Sequence, residues 1–406
     1  MITAAFMVLA AAASPPDVLP RVPHPDFGLI IGTLPSYDDR IKIVSKLQNS
    51  GKLDEAEVLA REMLKESEEQ FDSNHPQVAT SLLVLANVLQ AEGQYQAATE
   101  LSMRALKIRE GALGPNHSHV ATALNFLAEN YRLQGQYAFA EPLYLRALKI
   151  REANLGPGHP EVASVLNNLG LLYKSTGQLA KAETFYLRAL EIFKAALGPE
   201  HSRVATSLSN LASIYLMQGR FPEAIDYQQR ALAIKQKRLG PDHLDVALNL
   251  NNLAAIYQVQ GLFVEAEPIL KRAIEIREIK LGPEHPLLAA SLGNLAEIYR
   301  HQGNYVLAEN LGDRALAIRL NTYGSEHPEV ATSLNNLGEL SRDRGLLEKS
   351  EVFHLHALEI REKSLGPRHP ESVSSRGNIA RLYREMGREA DAIRFENWQG
   401  QILNNK

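Results

Sequence analysis

Apolar positions in this chain fall into two alternating helical stripes. From His159, residues Val162, Leu166, Leu169, Gly170 and Tyr173 lie at i, i+4, i+7, i+8 and i+11, which is one face of a helix with 3.6 residues per turn. A second stripe of Ala182, Phe185, Tyr186, Ala189, Leu190 and Phe193 follows Gly177. Pro160 suits a first helical position, where a missing N–H costs nothing. The residue before a proline is driven out of the helical region, so His159 takes the cap. Gly177 closes the first helix in a left-handed conformation. Leu197-Gly198-Pro199 closes the second with a glycine stop and a proline that cannot continue it. The pattern predicts an antiparallel pair of helices.

The pair returns every 42 residues. His75, His117, His159, His201, His243, His285, His327 and His369 keep one register, and the glycines from Gly51 to Gly387 keep another, with no insertion. A fixed period of this length marks a repeat array, which overrides the two or three globular domains that 406 residues would otherwise suggest. Small residues hold the register as well: Gly170, Ala182 and Ala189 are matched by Ala212, Ala224 and Ala231 and by Ala254, Ala266 and Ala273. Small side chains at fixed places let neighbouring helices approach closely. The expected fold class is all-α, a solenoid of nine helix pairs and 18 helices over residues 36–406.

The ends of the array differ from its middle. Residues 36–72 form a degenerate unit in which Leu47, Gly51 and Ala56 keep the register but the His-Pro opening is absent. From Tyr37 to Asp72 there are ten acidic and six basic residues, which suits a cap that solvates an end face. Regular units fill 73–368. The one opening at His327 is weakened by Ser341 and Ser350, which replace the usual Tyr and Ala. In the terminal unit, 369–406, Gln399 replaces the packing alanine. There Phe395, Trp398 and Ile402 form an apolar stripe with no following helix to cover it. Such a face predicts weak homo-oligomerisation.

Ahead of the array, residues 1–13 read MITAAFMVLAAAA, which is apolar, short and small at its end. This is the form of a secretory signal peptide cleaved near Ala11–Ala13, although no Lys or Arg opens it. Export to the periplasm or the medium is the expected localisation, with a cytoplasmic protein as the alternative. Residues 14–35 are a Pro-rich linker with six prolines. No later stretch approaches the roughly 20 apolar residues of a membrane span.

Composition narrows the function. The chain is 22% charged with a formal net charge of −4, which lacks the basic face that nucleic-acid binding requires. Without cysteine there are no disulfides, thiol nucleophiles or Cys-ligated metals. The eight registered histidines are one helix layer apart, about 8–10 Å, whereas zinc needs nitrogens about 2.0–2.1 Å from one ion. They read as caps, and no metal or cofactor is expected. Tyr131, Tyr173, Tyr215, Tyr257 and Tyr299 share the stripe of the core leucines and read as core. No phosphate-cradling loop, His-Glu metalloprotease pair or nucleophile elbow occurs, so the chain is not expected to be an enzyme.

Leu169-Gly170, Tyr173, Ala182, Tyr186 and Ala189 resemble the tetratricopeptide repeat pattern, with a step of 42 rather than 34 residues. The Leu-Gly-Pro-x-His-Pro-x-Val-Ala opening and the Asn-Asn-Leu block resemble its kinesin-light-chain-like subclass. No heptad coiled coil precedes the array, so a kinesin light chain itself is not expected. The resemblance implies a right-handed superhelix whose concave groove is built by the first helices. It also implies a non-catalytic scaffold that binds a protein or an extended peptide. A structural protein that self-associates through its end faces is the alternative.

Asn168, Asn210, Asn252, Asn294, Asn336 and Asn378 recur at the same step, with Asn125, Asn167, Asn251 and Asn335 beside them. Asn is a mediocre helix former, so its repetition in mid-helix needs a reason. With Ser164, Leu171 and Ser175, Asn168 lies on a stripe opposite Leu166. Two readings stand. The amides either bridge adjacent first helices as a ladder or bind a peptide backbone with donor and acceptor together. The resemblance points to the second, since matching Asn residues line the concave face. A chain-terminal carboxylate is not the expected ligand, because Thr122, Ser164, Asn167, Thr206 and Ser209 stand where a carboxylate clamp carries basic residues. Further along the stripe lie Arg132, Lys174, Arg300, Arg342 and Arg384, three of them three residues after Glu129, Glu297 and Glu339. The unpaired basic excess is expected at Arg376, Arg381, Arg384 and Arg388.

Overall fold

A computed structural model describes residues 36–397, and these are helical almost throughout. The signal, linker, Trp398, Gln399 and Ile402 expectations lie outside the described residues. The chain divides at Pro241–Asp242 into two compact units. The first contains α1 (Tyr37–Asn49), α2 (Leu53–Gln70), α3 (Pro76–Ala91), α4 (Tyr95–Leu113), α5 (Ser118–Leu133), α6 (Tyr137–Leu155), α7 (Pro160–Ser175), α8 (Leu179–Leu197), α9 (Ser202–Met217) and α10 (Phe221–Leu239). The second contains α11 (Leu244–Val259), α12 (Phe263–Leu281), α13 (Pro286–His301), α14 (Tyr305–Tyr323), α15 (Pro328–Asp343), α16 (Leu347–Leu365), α17 (Pro370–Glu385) and α18 (Glu389–Glu396). These are the 18 expected helices. Within each unit, every odd-numbered helix packs against the even-numbered one after it, which packs in turn against the next odd-numbered one.

The helix ends are built as the sequence dictates. Each registered histidine caps a first helix from α3 onward. In α7, the Glu161 N–H donates to His159 Nδ1 at 3.2 Å, and the same bond recurs from His75 to His369. The imidazoles are therefore used at orphan N–H groups. At the other end of α7, Gly177 has φ 72°. The Gln178 N–H donates to the Tyr173 carbonyl at 2.8 Å and the Gly177 N–H to that of Lys174 at 3.0 Å. This is the paired closure that a left-handed glycine permits.

Close packing explains the small residues. Ala182 and Ala189 are fully buried. A Cβ on Gly170 would lie 2.6 Å from the Tyr186 ring, so the ring occupies the space a side chain would need. The cap pair is tied down by Val44, Ala56, Ala60 and Met63 packing with Leu85 and Val88 of α3, and by a 2.8 Å bond between the Tyr37 and Ser81 hydroxyls. At the far end, Phe395 lies against Tyr383 with ring centroids 5.6 Å apart.

Two expectations need correction. Leu171, read on the groove stripe, is buried, because a first helix is covered on its flanks by its neighbours as well as beneath. Of the tyrosine row, Tyr173, Tyr215 and Tyr299 are buried, but Tyr131 and Tyr257 are only half-buried. The hydroxyls explain this placement: Tyr173 donates to Glu141 at 2.6 Å and Tyr299 to Glu267 at 3.3 Å, so each ring packs while its tip bonds to the preceding even-numbered helix. Burial, with Glu141 beside it, pushes the Tyr173 hydroxyl up to about 12.

Candidate binding face

The asparagine row sits on the first helices, half-buried or buried, and much of it is bonded from one helix to the next. Asn168 Nδ2 donates to Asn125 Oδ1 at 2.8 Å, Asn294 Nδ2 to Asn251 Oδ1 at 3.1 Å, and Asn378 Nδ2 to Asn335 Oδ1 at 2.8 Å. Asn167 Nδ2 reaches Ser207 Oγ at 3.5 Å. The ladder therefore exists, and it runs diagonally, from position i to i+43. Each rung uses one N–H and one carbonyl, so Asn125 Nδ2 and Asn168 Oδ1 take no other partner among the described residues. Asn210, Asn252 and Asn336 make no side-chain hydrogen bond among the described residues, and all three are half-buried. The row thus divides into bonded rungs and open amides, and the sequence could not separate them.

The charges on this face are mostly paired. Arg132 donates to both oxygens of Glu129, at 2.8 and 2.7 Å, and Tyr144 adds a 2.6 Å bond to Glu129 Oε2. Burial opposes the Glu129 charge, but Arg132 and these bonds hold its carboxyl below the usual range. Arg300 grips Glu297 in the same way, with Nε 2.9 Å from Oε2. Burial again opposes, yet His301 and Arg300 hold Glu297 at about 2. Arg342 lies 3.0 Å from Glu339. Lys174 differs: it has no carboxylate partner among the described residues and donates to Ser213 Oγ at 3.2 Å. Burial, with Arg132 nearby, pushes its ammonium down to about 8.

The four arginines expected to form an unpaired basic excess near the C-terminal end are all paired. Arg384 forms a two-pronged pair with Glu396 at 2.6 Å, so it turns toward α18 and leaves the row. Arg381 meets Glu339 at 2.5 Å, Arg388 meets Glu351 at 2.9 Å and Asp391 at 2.7 Å, and Arg376 is paired with Glu362. Most of these partners come from other helices, where spacing along one helix cannot reveal them.

A second row escaped the sequence reading altogether. Arg109, Arg151, Arg277, Arg319 and Arg361 recur in register near the ends of second helices, and all are buried. Each reaches the next first helix. Arg109 donates to the His119 carbonyl at 2.9 Å and Arg277 to that of Leu287 at 2.7 Å. Arg151 donates to Thr122 Oγ1 at 2.8 Å and pairs with Glu161. Arg319 takes Ser333 at 2.6 Å and Glu329 at 2.8 Å, and Arg361 takes Ser375 at 2.7 Å and Glu371 at 3.3 Å. Burial pushes Arg109 and Arg277 down to about 10. Phe193 stands in this register without a charge, and there the Arg203 guanidinium lies over its ring at 5.7 Å. The repeated Ile-Arg of Ile108-Arg109, Ile150-Arg151 and Ile276-Arg277 was the available signal.

Comparison with known families agrees with this geometry. The tetratricopeptide repeat model matches residues 46–111, 77–153, 119–195, 161–237, 203–279, 245–321, 288–345 and 329–398, one match after another along the array. The chain belongs to the tetratricopeptide repeat family. Among solved tetratricopeptide-like structures, it shares its fold with a Rap protein complexed with competence and sporulation factor. That chain is 17% identical, and the match covers 90% of this chain and 97% of that one with a TM-score of 0.59. It is also similar to BtubC from P. vanneervenii, at 27% identity over 61% of this chain and 94% of that one with a TM-score of 0.44. A Podosopora anserina protein with nearly identical kinesin-light-chain repeats is likewise 27% identical, over 50% and 97%, with a TM-score of 0.44. A search of curated protein sequences finds no match. No helix of the described residues is long and apolar enough to cross a membrane.

Proposed function

We propose that this tetratricopeptide repeat protein is a non-catalytic scaffold whose first helices bind an extended protein segment. The observation that carries this reading is the division of the asparagine row. The rungs hold the first helices in register, and the Asn168–Asn125 rung leaves a donor and an acceptor unused among the described residues. Among the described residues, Asn210, Asn252 and Asn336 leave whole amides unused. A half-buried amide seeks a partner, and an amide that both donates and accepts matches a peptide backbone. Neighbouring first-helix layers are about 10 Å apart, which is about three residues of extended chain.

The test is a selection of random displayed peptides on the purified protein, followed by titration of a selected peptide against Asn252→Ala/Asn336→Ala, both in the second compact unit. Two lost amide bonds of about 1 kcal/mol each predict a loss of about 10- to 30-fold with an unchanged melting temperature. Affinity left unchanged by the double variant would remove the groove reading. The expectation of self-association through the C-terminal stripe rests on Trp398 and Ile402, outside the described residues, and Phe395 is already packed on Tyr383.

A further inference from the structure

A cation and a polar ring recur at the same two register places in several helix pairs. In the α5–α6 pair they are Arg132 and Tyr144, and both bond to Glu129. In the α15–α16 pair they are Arg342 and His354, which lie 3.0 Å and 3.5 Å from Glu339. In the α7–α8 pair they are Lys174 and Tyr186, but Leu171 stands in the register of Glu129 and Glu339. That pair lacks the carboxylate that would serve both groups. Lys174 turns instead to Ser213 Oγ, which accepts at 3.2 Å. Tyr186 is buried, and its hydroxyl makes no hydrogen bond among the described residues.

The preceding first helix has a donor to spare. Arg132 gives Nε and Nη2 to Glu129, and its Nη1 takes no partner among the described residues. Its register mate Arg300 gives Nη1 to Asp343 on the next first helix and its other two nitrogens to Glu297. One guanidinium between two carboxylates is therefore an arrangement this chain already builds. The place of Asp343, counted from Arg132, is held by Ser175, whose hydroxyl donates to the Leu171 carbonyl at 3.0 Å. Arg132 is near enough to bias the ionisation of both Lys174 and Tyr186. Arg132 Nη1, Lys174 Nζ and the Tyr186 hydroxyl thus share one neighbourhood, and each is without a carboxylate among the described residues.

We infer that Lys174 is a site for carbon dioxide, which its neutral amine takes up as a carbamate. The nitrogen lone pair bonds to the carbon of CO2, one C=O electron pair moves onto oxygen, and a proton leaves the nitrogen for solvent. The product, –NH–COO⁻, supplies the carboxylate that the α7–α8 pair lacks. Its N–H still donates to Ser213, and its oxygens accept from the Tyr186 hydroxyl and Arg132 Nη1. Burial holds the Lys174 ammonium down at about 8, so neutral amine is at hand near that pH. Shape favours the product as well. Arg132, Arg300 and Arg342 carry a planar, branched head in this register, and a carbamate has a head of the same form, one bond further out. Ser213 is short where Glu129, Glu297 and Glu339 are long, which leaves length at the lysine tip. Lys174 is half-buried, so CO2 can reach it from solvent. No bound protein segment is needed for this chemistry.

The test equilibrates the full chain with carbon-13-labelled bicarbonate near pH 8, traps carbamates with a trialkyloxonium salt and maps them by mass spectrometry. Lys174 should carry the label saturably in CO2, at least about tenfold more than any other lysine, because far more of its amine is neutral at that pH. Unfolding in guanidinium chloride should erase the preference. Lys174→Arg should lose this label with helix content unchanged. Tyr186→Phe keeps the ring on Gly170 and removes only the hydroxyl, so the variant should fold. Its CO2 affinity should fall by about tenfold, the effect of one hydrogen bond to a charged group. No label at Lys174 in the folded chain, or a label no heavier than on exposed lysines, overturns the site. Uptake unchanged in Tyr186→Phe overturns it too, because the carbamate would then not take the place of the carboxylate that Leu171 displaces.

Discussion

Asn168 donates its side-chain amide to Asn125 at 2.8 Å, and the two residues belong to neighbouring first helices, α7 and α5. The bond links alternate helices that meet mainly through the one between them. It should therefore hold register more than it supplies stability. Asn125→Ala is expected to lower unfolding free energy by about 1 kcal/mol, and denaturant titration checks this. A ligand amide bonded only to Asn210 or Asn252 should be unaffected by that change.

The buried arginine row predicts a larger effect. Arg361 is fully buried and bonded to Ser375 and Glu371. Arg361→Ala leaves these groups without their cation and should cost about 3–5 kcal/mol. Phe193 and Arg203 occupy the same two register places with the charge on the other helix. Arg361→Phe/Glu371→Arg should therefore recover at least half of the loss, measured by the same titration. A double variant no better than Arg361→Ala would show that the two joints are not equivalent.

His354 should make the second unit acid-sensitive. Burial, with Arg381 and Arg342 nearby, pushes its imidazole down to about 3, below its ordinary 6.5. Between these values only the unfolded chain takes up the proton. Stability should then fall with pH by about 1.4 kcal/mol per unit from this one group. His354→Tyr places on Gly338 the ring that Tyr186 places on Gly170. Its stability should fall less steeply between pH 6 and 4 (about one proton less). Equal slopes in wild type and variant would rule this out.

Among the described residues, Lys174 is the cation of the row without a carboxylate. Its folded-state value of about 8 lies below its ordinary 10.5. Stability should therefore rise as pH goes from about 8 to 10.5, because the unfolded chain then binds the extra proton. Lys174→Met removes a buried charge and should raise the melting temperature at pH 7 by about 2–4 °C. It should also remove the alkaline rise and weaken any bound segment that places an acidic side chain there. Calorimetry across pH 7 to 10 reads the first two effects.

The helices were legible because their signals are local. His159-Pro160, Gly177 and Leu197-Gly198-Pro199 each act within a few residues, and the structure uses them as written. The asparagine row was legible in position but not in use, because whether Asn168 finds Asn125 depends on a separation of 43 residues. Arg384 was misplaced for a related reason: its partner Glu396 lies on the next helix. The inward arginines were missed because a guanidinium ordinarily stays in water, and only the recurring register argued otherwise.

The Phe193–Arg203 contact limits how such a chain can change length. An array whose units meet only their neighbours can gain or lose one unit and rejoin cleanly. Excising residues 286–327 would bring Arg277 against Glu329, a pairing already used between Arg319 and Glu329. Excising 202–243 would instead bring Phe193 against Asp245, and the ring would lose its cation. The array is uniform in step but keyed at this joint, so insertions and deletions should be tolerated on either side of it and selected against across it.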